Sequence, residues 1–270
     1  MINVSVLLPF YRAEYIGWLP MEGLVRQVGV NFEWELIVAE ELNDETFGKD
    51  RILEYIPRLK QAGCIRFKYI GLDKWMPLSG KRKLLIEESD PSSKLIIGNA
   101  SDDYSPPKRF STMWNLKKKH PDGDWFVPVA NISYDIATDI ALQREPVLTP
   151  TRADVAGQAQ SADLMRKTAK AMDPSIARGV DGHLWQTAHQ VKPDIKLIID
   201  ESDNWKYSMN TNGFNSISFN YRDTHFKNPA TFPNFNPVPF DIDKFIPSEV
   251  MGRLRDSKKY LHLHKRGVSA

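Results

Sequence analysis

Between residues 3 and 98 the chain repeats one pattern, a short run of β-branched and large apolar residues followed by a turn and then a segment with helical spacing. The runs are Asn3 to Leu8, Trp34 to Ala39, Ile65 to Ile70 and Lys94 to Gly98. Each is rich in β-branched or large apolar residues and short enough to be a central strand. Strands that alternate with helices in this way build β-α-β units, which fixes the class as α/β with a central sheet flanked by helices.

The intervening segments support that reading. From Phe47 to Ala62, Ile52, Tyr55, Ile56 and Leu59 recur at three- and four-residue spacing, and Gly63 follows as a stop. A shorter helix is expected from Gly80 to Glu88, with Lys81, Arg82 and Lys83 crowding its first turn, where cations oppose the helix dipole unless an anion is near. Pro106 and Pro107 begin a helix expected to run to Lys119. Beyond it the pattern predicts strands at Trp125 to Val129, within Asn131 to Pro150 and at Lys196 to Ile199, with helices at Ala162 to Met172 and Gly182 to Val191.

Past Trp205 the composition changes to Asn, Phe and Pro, and Pro229, Pro233, Pro237 and Pro239 forbid regular structure. A short helix from Ser248 to Ser257 and a basic tail close the chain. The expected organisation is one domain over residues 1–205, with a ligand-binding half (1–105) and a second half (106–205), and an irregular extension over 206–270 wrapping it.

The 270 residues carry a net charge of +2, which leaves no whole-molecule field to recruit nucleic acid or an anionic membrane. The single cysteine, Cys64, excludes a disulfide framework or a Cys-rich zinc module. The N-terminal apolar stretch is too short and too poor in basic flanks for a signal peptide, and no apolar run approaches the ~20 residues of a membrane span. A cytoplasmic location is expected, with peripheral contact at a membrane left open.

Function must therefore be read from sites, and the informative residues fall at the C-terminal ends of the expected strands, where open α/β sheets bind ligands. After the first strand stand Pro9, Phe10, Tyr11 and Arg12, either a structural turn or an aromatic ring and a guanidinium offered to a base and a phosphate. After the second come Glu40 and Glu41, within an acidic cluster reaching Thr46, either ligands of a base or ribose or the acidic start of a helix. Ser79 to Lys83 would set backbone amides and cations near a diphosphate, or form a solvated basic turn. After the fourth strand, Asp102 and Asp103 repel one another and ask for a compensating charge. A magnesium or manganese ion would supply it, taking one or two carboxylates and completing its shell from phosphates and water. The alternative is that Asp103 and Ser105 cap the next helix.

In order and spacing, the segments Val4 to Arg12, Glu35 to Glu41, Leu78 to Arg82 and Asp102 to Pro106 resemble the successive signatures of GT-A glycosyltransferases of the large family 2 type. The resemblance is strong over about the first 110 residues, loose over the next hundred and slight in the tail. It implies a GT-A (Rossmann-like) fold, a nucleoside-diphosphate-sugar donor with UDP foremost, and a divalent metal, Mn2+ or Mg2+. By that mapping Pro9 and Tyr11 line the base, Glu40 or Glu41 holds uracil or ribose, Lys81 and Arg82 lie near the donor, and Asp103 with Asp102 meets metal and ribose. Asp181, in Gly179-Val180-Asp181-Gly182, resembles the carboxylate that serves as the family's catalytic base. An inverting transfer needs a carboxylate to take the acceptor hydroxyl's proton. Read alone, Asp181 is a helix cap.

The chain departs from the family in having glutamates after the second strand, Ala100 where an acid is usual, Lys83 after the arginine and Val180 before Asp181. His225 is a further metal or diphosphate ligand or an ordinary loop residue. His262 and His264 sit in the basic tail. Trp125, Trp185 and Trp205 belong to an acceptor groove or to the core. The expected function is metal-dependent transfer of a sugar to a hydroxyl of a glycan, lipid carrier, protein or modified nucleic acid. The competing expectations are a catalytically inactive sugar-nucleotide or glycan binding module and a nucleotidyltransferase. The last expects a Gly-rich phosphate loop after the first strand, which Pro9 to Arg12 is not.

Overall fold

The computed structural model describes residues 1–43, 45–128, 131–136, 139–144, 148–149, 152–153, 158–177, 179–200, 209–212 and 238–260. The first half runs β1 (Val4–Pro9), α1 (Trp18–Val25), β2 (Trp34–Glu41), α2 (Lys49–Leu53), α3 (Ile56–Gln61), β3 (Cys64–Leu72), α4 (Leu78–Glu87), β4 (Leu95–Gly98) and β5 (Asp103–Tyr104). There follow α5 (Arg109–Lys119), β6 (Trp125–Pro128), the strands β7 (Asn131–Asp135) and β8 (Ile140–Arg144), and the short pair β9 (Leu148–Thr149) and β10 (Arg152–Ala153). Then come β11 (Ala159–Ser161), α6 (Ala162–Ala171), α7 (Val180–Val191), β12 (Leu197–Asp200), β13 (Met209–Asn212), β14 (Val238–Pro239) and α8 (Ser248–Asp256).

The main sheet has seven strands in the order β12-β6-β11-β4-β1-β2-β3. β3, β2, β1 and β4 are mutually parallel, whereas β11 pairs antiparallel with both β4 and β6. From β1 the chain builds outward through β2 and β3, then returns to place β4 on the other side of β1. The order therefore reverses between β1 and β4, and the crevice beyond their C-terminal ends is where such a sheet accepts a ligand. A second sheet, β14-β8-β7-β13-β5, adjoins that crevice through β5, which carries Asp103. This is a Rossmann-like GT-A-type architecture.

Alternation along each strand sorts side chains to opposite faces. Val4, Val6 and Leu8 of β1 and Leu36 and Val38 of β2 join a core formed with α1, α3 and α5. Leu7, Ile37 and Ala39 point the other way, into a second core with α4, α6 and α7. Both faces are thus covered, which accounts for the nearly unbroken apolar runs.

Several differences from the sequence reading have identifiable reasons. The single helix expected over Phe47 to Ala62 is two, α2 and α3, because Pro57 cannot donate to the carbonyl one turn back and its ring crowds that turn. α4 begins at Leu78 rather than Gly80, behind Pro77. α1 was not anticipated, because all but its last residue are buried and it lacks both a polar stripe and a side-chain cap. Among the described residues no helix is long and apolar enough to cross a membrane.

Candidate functional site

β1 ends at Pro9, whose neighbour Phe10 still donates its amide to Ala39 O of β2 (2.8 Å). The chain then breaks from the sheet at Arg12, which takes a left-handed backbone conformation (φ 49°), an uncommon one for a residue with a side chain. The turn divides these residues. The ring of Phe10 is fully buried, edge-on to Phe47 at 5.7 Å, and so departs from the expectation that it would face a ligand. Tyr11 and Arg12 instead line a cleft of about 240 Å³ together with Glu40, Glu41, Asn43, Glu45 and Trp75. Arg12 pairs with Glu45 at 2.9 Å and lies over the Tyr11 ring.

Glu40 and Glu41, at the end of β2, reach this cleft, but their oxygens already have protein partners. Glu40 accepts from the amides of Phe47 (2.6 Å) and Gly48 (3.1 Å) and from the Tyr69 hydroxyl (3.1 Å), so it shapes the loop leading to α2. Burial holds its carboxyl above the usual range despite those bonds. Helix α2 starts only at Lys49, so the acids do not sit in its first turn.

Glu41 pairs with Lys81 at 2.5 Å and accepts from the Met76 amide at 3.3 Å. Lys81 also donates to Phe10 O (2.7 Å), and burial lowers its pKa. It is 1% exposed. The anion that the basic start of α4 demanded is therefore supplied by the protein: Glu41 for Lys81, and Asp181 for Arg82, whose guanidinium donates to that carboxylate at 2.5 Å. Lys81, expected beside a diphosphate, is a buried brace between β1, β2 and α4. Arg82 is part-buried, with Asp181 more exposed beside it.

That contact brings together two residues 99 positions apart. Asp181 is not a cap. α7 is preceded by Gly179, left-handed at φ 65°, with no side-chain cap, and Asp181 lies within its first turn.

Across the switch point, the Ser101 hydroxyl donates to Tyr11 O (3.5 Å), tying the loop after β4 to the loop after β1. Asp102 and Asp103 follow, 6% and 2% exposed. Neither Asp103 nor Ser105 caps α5, whose N-cap is Lys108 without a side-chain hydrogen bond. Ser105 instead donates to Asn99 Oδ1 at 3.2 Å, and the buried Arg109 donates to the same oxygen (2.9 Å), to Ser105 Oγ (2.8 Å) and to Gly98 O (2.6 Å). Burial lowers the Arg109 pKa to about 10, while the neighbouring Asp103 charge works the other way. Part of the counter-charge that the acid pair requires is thus internal.

Two hard oxygen donors side by side at a strand exit still fit Mg2+ or Mn2+, which need only one or two protein carboxylates when phosphates complete the shell. Among the described residues no three His, Cys, Asp or Glu side chains converge to hold a metal unaided. His225, Trp205, His262 and His264 lie outside the described residues.

Trp125 and Trp185 do not line a groove. They meet edge to face at 4.9 Å inside the second core. The exposed indole at the cleft is Trp75, 63% exposed between β3 and α4, which the sequence reading missed. The only signal for it was an aromatic between Lys74 and the helix-starting Met76-Pro77.

Fold and site together define an α/β protein of Rossmann-like GT-A-type architecture with a polar cleft beyond the ends of β1 and β2. No protein-family model matches the sequence, and neither does any curated protein. Solved structures do match. S. aureus TarS 1-349 is 11% identical with a TM-score of 0.58, over 99% of this chain and 92% of that one. The same fragment in complex with UDP-GlcNAc is 14% identical with a TM-score of 0.57, over 96% and 70%. Its complex with UDP is 12% identical with a TM-score of 0.56, over 97% and 88%. Against the longer S. aureus TarS chain, this one spans 53% of the length. At these identities the likeness is one of fold.

Proposed function

We propose that this chain is a glycosyltransferase that moves a sugar from a nucleoside-diphosphate donor, UDP foremost, to a hydroxyl acceptor with inversion, using Asp181 as general base. The observation that carries the reading is the Arg82–Asp181 contact, one residue along α4 from Lys81, which is bonded to Glu41 of the cleft that Tyr11 and Trp75 also line. That contact supports reading Arg82 as a diphosphate cation and Asp181 as a base of one site. The solved TarS complexes with UDP and UDP-GlcNAc support the donor class through the shared fold.

In this reading Tyr11 offers a ring face to the base and Glu41 a carboxylate edge to its imide or to ribose. Arg82 steers the diphosphate. Asp181 accepts the proton of the attacking hydroxyl as the bond to the anomeric carbon forms and the donor's glycosidic C–O bond breaks. A divalent ion held by Asp103 and Asp102 would stabilise negative charge on the departing diphosphate. The acceptor class stays wide, and a cytoplasmic site of action accords with the donor.

The test is nucleotide release from a panel of sugar-nucleotide donors with Mn2+, using the wild type and Asp181→Asn. The reading expects turnover in the wild type. It expects a loss of at least about 100-fold in the variant, the usual contribution of a general base, with donor affinity retained. Turnover unaffected by Asp181→Asn removes the base assignment. Donor binding without turnover favours the inactive binding module.

A further inference from the structure

A second groove, of about 750 Å³, adjoins the cleft and shares Trp75 with it. One wall is the segment joining β3 to α4. The other is one face of α4, where Gly80, Lys83, Leu84 and Glu87 recur at three- and four-residue spacing. Gly80 lets Met76 and the Pro174 backbone pack close against α4, since a Cβ there would stand 3.0 Å from both Met76 Cγ and Pro174 O. Its volume lies in the range of small-molecule sites.

The chemistry of the lining narrows the occupant. Asp73, Lys74, Lys83 and Glu87 border the groove, and none of them has an ion-pair partner among the described residues. Two cations and two anions cancel, so the groove has no net attraction for a polyanion, a nucleic acid or an anionic lipid surface. They do supply both donors and acceptors for hydroxyl groups. Between them lies an indole with most of its surface in water, the kind of flat apolar face that stacks against a ring bearing polar edges. A neutral polyhydroxylated ring satisfies all three features.

We propose that this groove is a glycan subsite, with Trp75 as the platform for a sugar ring and Lys83 and Glu87 as hydroxyl partners. It rests on the reading of the adjoining cleft as a glycosyl-transfer site, and it makes the acceptor class a neutral oligosaccharide or polysaccharide that passes over Trp75 onto α4.

The test uses the full chain and the indole N–H signal of Trp75 in 1H–15N NMR spectra, identified by its loss in Trp75→Ala. Chitotetraose, maltotetraose and cellotetraose are each titrated to about 10 mM, enough to detect millimolar binding. UDP with Mn2+ is titrated separately. At least one oligosaccharide shifts the Trp75 signal. Trp75→Ala weakens its binding by roughly tenfold or more, as expected for loss of an aromatic contact area. Lys83→Ala weakens it by about threefold, the loss of one hydrogen bond, and leaves UDP binding at the wild-type level. A Trp75 signal unmoved by all three sugars overturns the proposal. So does a signal moved by UDP alone, which assigns the indole to the donor cleft. Sugar binding without UDP binding sustains the groove as a glycan site while removing the transferase reading.

Discussion

Replacing Lys81 by methionine tests whether the basic start of α4 is a structural brace or a ligand site. Lys81 is 1% exposed and gives Nζ–H to Glu41 at 2.5 Å and to Phe10 O at 2.7 Å. Methionine fills much of the stem's volume but leaves Glu41, 6% exposed, with only the long contact from the Met76 amide, and leaves the Phe10 carbonyl without this donor. Removing one partner of a buried pair strands the other charge, at a cost of about 3–5 kcal/mol. Typical domains have ~5–15 kcal/mol in total, so the variant should fold but unfold at markedly lower urea. The double variant Lys81→Met, Glu41→Gln removes the stranded charge and should recover about 2 kcal/mol or more, because a buried pair replaced as a unit is often close to neutral. Urea titration of the two single variants and the double gives the coupling directly. A single-variant loss below about 1 kcal/mol, or effects additive to within about 0.5 kcal/mol, refutes the brace. If UDP binding were lost with stability untouched, Lys81 would be a donor ligand after all.

Two further outcomes follow from the packing of α1. Gly23→Ala gains about 1 kcal/mol in helix propensity, but the added Cβ would stand 2.5 Å from the Ser105 amide nitrogen. Overpacking of about 1–3 kcal/mol should outweigh that gain and displace the segment bearing Asp103, so metal-dependent UDP binding should fall along with stability as measured by calorimetry and urea titration. Glu22 is pushed up by burial, but the two-pronged Arg58 pair, at 3.0 Å on both oxygens, outweighs this and holds its pKa below the ordinary glutamate value. A folded-state pKa that is lowered contributes stability above the ordinary value and loses it as pH falls. Glu22→Gln should therefore lose roughly 2 kcal/mol at neutral pH, with the gap closing on acidification below the glutamate range. A gap that is constant with pH would assign the loss to packing.

The strands were legible because burial on both faces writes itself as continuous apolar runs, and β1, β2 and β4 lie within two residues of their expected limits. β11 was not legible. It has three residues, and its Gln160 is buried in the sheet with no apolar pattern to announce it. The cleft was legible by position along the chain, since Tyr11, Arg12, Glu40 and Glu41 do line it together. What sequence could not give was the pairing of charges. Lys81, Arg82 and Lys83 are neighbours of similar chemistry, yet helical rotation sends Lys81 inward to Glu41, Arg82 to Asp181 and Lys83 to the outer groove. Nor could the order of residues show Trp75 exposed at the rim, because an isolated tryptophan reads equally as core.

The proposed transfer depends on the Asp102–Asp103 turn serving a metal-bound nucleoside diphosphate. Calorimetry of UDP with and without Mn2+ addresses it, comparing wild type with Asp103→Asn at matched stability. Binding should require Mn2+ and weaken by at least about tenfold, or ~1.4 kcal/mol, in the variant. UDP binding indifferent to both Mn2+ and Asp103, or no binding by the wild type, would contradict it.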